Sequence, residues 1–211
     1  MRRRSLPRLI GLLAALAVAL PAAAASAMPA LDGGGEGDCR PLAAQAEAEF
    51  GVPPGILQAI ALVESGLGGR AWPWTINASG RPFYLRTHSD AVVVAEAAMR
   101  HFGDAIAIGC MQVYLRWHAE NFTDVQQMLQ PAHNVRYAAA YLVSLRRERG
   151  SWEAAVRHYH GSERRAQADY LCKVLAARTR LGYQDVTDAM RDRCAAPETL
   201  VRLADRDGGG S

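Results

Sequence analysis

Ile56-Leu57-Gln58-Ala59-Ile60-Ala61-Leu62-Val63-Glu64-Ser65-Gly66 is an apolar run that ends on a carboxylate. Leu57, Ile60, Ala61 and Glu64 recur at spacings of three and four, so one helix face carries them together. Pro53-Pro54 ahead of the run suits a first helical turn, and Gly66, Gly68 and Gly69 stop it. Upstream, Pro41 opens a shorter helix that Gly51 closes after Phe50. Downstream the period changes. Trp74-Thr75-Ile76-Asn77 and Pro82-Phe83-Tyr84-Leu85 flank Ala78-Ser79-Gly80-Arg81, which predicts a β-hairpin with a four-residue loop.

Helical periods then return. Thr87-His88-Ser89-Asp90 is a capping-box pattern ahead of a helix over 91–102. Thr123-Asp124-Val125-Gln126 repeats the pattern before a short helix that Pro131 stops. Helices are predicted over 134–149, 152–160, 163–181 and 185–194, with Gly150 and Gly161 as terminators and Ser151 as a cap. The expected fold is mostly α, of α+β type: one helical domain over 39–195 with a small hairpin. Residues 28–38 read as a small-residue leader and 196–211 as a frayed tail.

The amino terminus has a different character. Arg2, Arg3, Arg4 and Arg8 precede the apolar run Leu9–Leu20, and Ala25-Ser26-Ala27 is a small-x-small site. Together these read as a cleavable signal peptide over 1–27. Twelve apolar residues fall short of the ~20 that a spanning helix needs, and no other run is longer, so no membrane span is expected after cleavage. The chain holds 24 basic and 21 acidic residues. Without the four leader arginines the balance is 20 to 21, or −1. A nearly neutral chain has no basic field for a polyanion, which argues against nucleic acid.

Export also sets the reading of Cys39, Cys110, Cys172 and Cys194, all beyond the leader. Two disulfides are expected in an oxidising compartment, with three connectivities open. The order of the helices favours Cys172–Cys194 as a clip on the last two, with Cys39–Cys110 tying the first helix to the middle of the domain. His158 and His160 have no partner at metal-ligand spacing, so neither a metal nor a cofactor is expected.

Glu64 is the residue with chemical promise. A carboxylate on the inward face of an apolar helix loses hydration, and the last turn adds the negative end of the helix dipole. Both raise its pKa. A carboxylic acid still protonated near neutrality can donate to a glycosidic leaving oxygen.

The blocks around it form an ordered set: Ala61-Leu62-Val63-Glu64-Ser65-Gly66; Gly109-Cys110-Met111-Gln112-Val113; Asn134 followed by Tyr141-Leu142; and Ala155-Val156-Arg157-His158-Tyr159-His160-Gly161. This order resembles the soluble lytic transglycosylase (SLT) domain, related to goose-type lysozymes, over roughly Pro41 to Val174. That family reads Glu-Ser, then Gly-Leu-Met-Gln, then Asn with Tyr-Leu, then Ala-Tyr-Asn-Ala-Gly. The sequence departs from it at Cys110, at His160 and in a longer interval between Glu64 and Gly109. Trp72-Pro73-Trp74-Thr75-Ile76-Asn77 is similar to a flagellar or secretion-associated branch.

The resemblance implies a lysozyme-like fold with the hairpin flanking a cleft, and a periplasmic lyase that cleaves peptidoglycan between N-acetylmuramic acid and N-acetylglucosamine. Glu64 is implied as acid and then base. Tyr159 is implied to position the acetamido group, and Gln112 and Met111 to line the cleft. Ser65, Asn77, Trp74 and Tyr84 are the remaining substrate-binding candidates. Tyr141 and Asn134 are expected to be structural, Asn134 as a helix cap. Asp90, Glu96 and Asp104 offer no persuasive second carboxylate. A goose-type hydrolase and a non-catalytic wall-binding or assembly protein are the alternatives. A flagellum, secretion system or pilus is the implied setting.

Overall fold

Glu47, in the last turn of the first helix, determines where the second begins. In the computed structural model, which describes residues 37–195, α1 spans Arg40–Phe50 and α2 spans Ile56–Ser65. The Glu47 carboxylate is 3% exposed and accepts from Gly55 N at 2.8 Å and Gln58 N at 3.0 Å. A side chain of α1 thus satisfies the first amides of α2, which has no side-chain cap of its own. Pro53 and Pro54 form a turn before the helix rather than its first turn. Gly55, at φ 85°, marks the boundary. The expected leader and tail lie outside the described residues, except Gly37 and Asp38. The Asp38 carboxylate bonds Ala71 N at 3.1 Å and pairs with Arg40.

Short strands β1 (Gly66–Leu67) and β2 (Arg70–Ala71) follow α2 as a separate pair. The predicted hairpin is present as β3 (Thr75–Ala78) and β4 (Arg81–Tyr84), with a shorter loop than expected. Ser79 (φ 54°) and Gly80 (φ 76°) alone turn the chain. Two successive left-handed residues suit the right-handed twist of a two-residue hairpin, so Ala78 and Arg81 stay paired. After α3 (His88–Phe102) come β5 (Ile106–Ile108) and β6 (Val113–Tyr114). They extend the hairpin into an antiparallel sheet of order β4-β3-β5-β6. Neither strand was expected, since two or three residues carry no readable period.

The remaining helices are α4 (Leu115–His118), α5 (Val125–Leu129), α6 (Pro131–Arg149), α7 (Trp152–Tyr159), α8 (Arg164–Arg180) and α9 (Asp188–Ala195). Thr87 and Ser151 cap α3 and α7 as expected. For α5 the cap is Asp124, accepting from Gln127 N, one residue later than the Thr123 pattern implied. Pro131 opens α6 instead of only ending its predecessor. The core gathers Leu57, Ile60, Ile76, Ile108, Met128 and Leu142, all without exposure. Each contributes about 1.5–3 kcal/mol by leaving water. Among the described residues no helix is long and apolar enough to cross a membrane.

Both disulfides form in the expected pairing. Cys39–Cys110 joins the start of α1 to the β5–β6 loop, and Cys172–Cys194 joins α8 to α9. The first bridges a sequence separation of 71 residues, so its loss should release about 4 kcal/mol of denatured-state entropy. Replacing both Cys39 and Cys110 by Ala is expected to lower the unfolding free energy by that amount in urea. A change under 1 kcal/mol would show that the loop is held without the bond.

Candidate active site

The last turn of α2 delivers Glu64 to a group of aromatic rings. Tyr170 donates from its hydroxyl to Glu64 Oε1 at 2.6 Å. Burial drives the Glu64 pKa from 4.5 up to about 7, against the smaller opposing pull of the Tyr170 hydrogen bond and the Lys173 charge. Tyr170 sits on α8 at 2% exposure, and burial holds its phenol well above the ordinary range. It therefore stays a donor near neutral pH. With Tyr170 on Oε1, the proton of the neutral acid falls to Oε2, which is left to donate.

Tyr159, the last residue of α7, stacks on Tyr170 with ring centroids 6.5 Å apart and planes 13° apart. Its hydroxyl donates to Met111 O at 2.9 Å. The β5–β6 loop is thereby tied to the end of α7. Ser65 ties the same loop to α2: its Oγ lies 2.9 Å from Cys110 O and 3.0 Å from Ala61 O. Gln112 takes a left-handed conformation at φ 46°, a cost of roughly 1–2 kcal/mol for a residue with a Cβ. Its side-chain amide offsets this by bonding Gly109 O at 2.9 Å and Thr75 O at 3.2 Å. Thr75 O also accepts from Gly109 N, so β3 abuts the loop directly.

Asn134 organises the loop from beneath and is not the helix cap expected of it. It lies inside α6 with no exposure, accepts from Met111 N at 2.9 Å, and donates to Ile108 O and Met128 O, both at 3.0 Å. Gly109 must be glycine: its φ is 82°, and a Cβ there would lie 2.4 Å from Asn134 Nδ2.

The expected substrate-binding residues separate accordingly. Glu64 and Tyr159 come together in one site. Gln112 braces its wall. Ser65 and Met111 have no exposure, so they frame the wall and present no side-chain surface to a ligand. Ser65 spends its hydroxyl on Cys110 O, and the Met111 side chain is packed in the core. Trp74 is half-buried edge-on to Trp72, and its Nε1 is buried without a partner. Asn77 lies on β3 opposite Pro82 and Ala107, and Tyr84 is exposed on the outer strand. None of these three hydrogen-bonds to Glu64, Tyr159 or Tyr170. Tyr170 itself was missed. Its signal lay in the spacing Gln167-Tyr170-Leu171-Val174, an inward helix face carrying one phenol and one amide beside apolar side chains.

Tyr170→Phe removes a hydrogen bond that favours the carboxylate, so the Glu64 pKa should rise further. For a reaction that needs protonated Glu64, the alkaline limb of the pH–rate profile is expected to move up by about one unit. A limb that stays in place would assign it to another group.

A mostly helical, disulfide-tied domain with a small antiparallel sheet, carrying an acid raised to about 7 at the end of an apolar helix, is of the lysozyme-like class. The family model described as "Transglycosylase SLT domain" matches residues 41–170. The chain belongs to that family, whose members are transglycosylases acting on peptidoglycan. No curated protein and no solved structure matches the chain.

Proposed function

We propose that the protein is a lytic transglycosylase that cleaves the β-1,4 bond between N-acetylmuramic acid and N-acetylglucosamine without water. The observation that carries this reading is the desolvated Glu64, bonded by Tyr170 and raised to about 7. Glu64 gives its proton to the glycosidic oxygen, and the N-acetylglucosamine 4-hydroxyl departs. The muramic acetamido oxygen closes on C1 to form an oxazolinium. Glu64, now a carboxylate, takes the proton from the muramic 6-hydroxyl, whose oxygen attacks C1. The acetamido group is restored, and the product is a 1,6-anhydro sugar.

One carboxylate suffices for this route, whereas two-carboxylate hydrolysis needs a partner ~5–9.5 Å away. Asp90, Glu96 and Asp104 are exposed, and Asp104 is engaged with Arg116. That favours the lyase over a goose-type hydrolase. A wall-binding module without activity has no use for an acid in a desolvated place. The signal-peptide reading of residues 1–27 supports a periplasmic location. The likeness of Trp72–Asn77 to the flagellar or secretion-associated branch supports local wall opening for a flagellum, secretion system or pilus.

Mass spectrometry of digested sacculi tests the reading. Anhydro-muropeptides, lighter by one water than reducing muropeptides, are the expected product. Reducing ends would make the protein a hydrolase, and intact sacculi would make it a binder.

A further inference from the structure

Lys173 is the one lysine of the chain. It lies on α8 one turn past Tyr170 and is exposed. Its charge favours the Glu64 carboxylate and opposes protonation of His160, so the ammonium stands within electrostatic reach of both. Arg180 follows seven residues later, two helical turns and about 10 Å along the same face. Only the small Ala176 and Ala177 fall between them on that face. Among the described residues the side chains of Lys173 and Arg180 have no hydrogen bond and no ion pair.

Arg180 also lines a groove of about 360 Å³ with Arg40, Leu62, Gly66, Gly68 and Gly69. Leu62 and Gly66 stand two residues to either side of Glu64 on the chain. Asp38 takes Nε and Nη2 of Arg40, which leaves Nη1 for a ligand. Among the described residues no acid lines the groove. Gly68-Gly69, the turn between β1 and β2, puts no side chain over it. Leu62 adds aliphatic surface.

Three cations, two of them unpartnered, beside a lining of glycine and leucine suit a short acidic chain. In peptidoglycan such a chain hangs on the muramic acid next to the bond that Glu64 protonates: a peptide of a few residues with free carboxylates. Four extended residues reach ~13–14 Å, enough to run from Lys173 to Arg180. We propose that Lys173, Arg180 and Arg40 form a track for the acidic peptide of the wall, with Lys173 taking the carboxylate nearest the sugar and the arginines those farther out. A guanidinium matches a planar carboxylate with two parallel donors, which an ammonium does not. The assignment rests on the glycan-cleaving reading above. It makes the peptide as well as the glycan a determinant of which strands are cut.

Binding to Glu64→Gln protein tests it without turnover, and in that background the Lys173 charge has no carboxylate to act on. The probes are the disaccharide tetrapeptide of peptidoglycan, the same compound with its carboxylates amidated, and tri-N-acetylchitotriose. Lys173→Gln and Arg180→Gln are each expected to weaken binding of the acidic muropeptide about two- to fivefold, and the double variant about tenfold. Chitotriose and the amidated muropeptide should bind all variants alike. The melting temperature should hold, because neither side chain has a partner to lose. Carbon-13 reductive methylation of the lone lysine gives one side-chain signal, which the acidic muropeptide should shift and chitotriose should not. Unchanged affinity in either folded variant, or an amidated muropeptide that binds as tightly as the acidic one, would overturn the track. An unrelated acidic peptide that binds as tightly through the same residues would overturn it too, and would assign the groove to an acidic protein segment. If the muropeptide binds through Lys173 and Arg180 while wild-type protein leaves sacculi intact, the track stands and the cleavage reading falls.

Discussion

Glu64→Gln is expected to abolish cleavage and to make the protein more stable at neutral pH. The amide keeps the shape and still accepts from Tyr170, but it cannot pass a proton either way. Loss of that transfer should cost at least ~10²-fold in turnover. The stability change follows from linkage. The folded-state pKa of Glu64, about 7, lies above its ordinary 4.5. Between those values the folded protein binds more protons than the unfolded chain. Stability is therefore highest below the lower value and is lost as pH rises through the upper one. Glutamine escapes that loss, so the variant should gain about 1–3 kcal/mol at pH 8 and nothing at pH 4. Melting curves at the two pH values check this. Equal melting temperatures at pH 8 would mean that folding does not raise the Glu64 pKa.

Asn134→Ala is expected to cost about 5 kcal/mol and to impair catalysis in whatever folds. The substitution strands Met111 N, Ile108 O and Met128 O in a dry interior, at roughly 1–3 kcal/mol each. That is a large share of the 5–15 kcal/mol typical of a whole domain. Catalysis suffers because Met111 also anchors the Tyr159 hydroxyl. Asn134→Asp should do no better, since its carboxylate would face two carbonyl oxygens. Urea denaturation of both variants checks the pair. A loss below 1 kcal/mol would show that the loop is held by other bonds.

Much of this architecture was legible in the chain. Period and capping residues located most helices, because each buries one face and Gly51, Gly103 and Gly150 terminate them. Glu64 stood out because a carboxylate interrupts an apolar face. The missing parts share a cause: they depend on partners distant in sequence. Asn134 looked like a cap because asparagine is favoured there locally, but its bonds go to residues up to 26 positions away. Ser65 and Met111 looked like contacts because they adjoin the motif's active members, yet the Ser65 hydroxyl is spent on Cys110 O and the Met111 side chain is packed in the core. Tyr170 lies 106 residues from its acceptor, and nothing local distinguishes it from a core tyrosine. The extra strand β5 exists only because β3 offers it an edge, and β6 because β5 then offers the next.

The Ser79-Gly80 turn and the Gly109–Gln112 turn differ in how freely a lineage can edit them. Ser79-Gly80 turns on its own backbone and touches nothing that a longer tip would displace: a Cβ added at Gly80 meets open space. The Gly109–Gln112 turn is pinned by Ser65, Thr75, Asn134, Tyr159 and a disulfide. One inserted residue there would break several of those ties at once. Variation in the reach of this enzyme over its polymer should therefore accumulate as length at the first turn. At the second, only side chains have room to change.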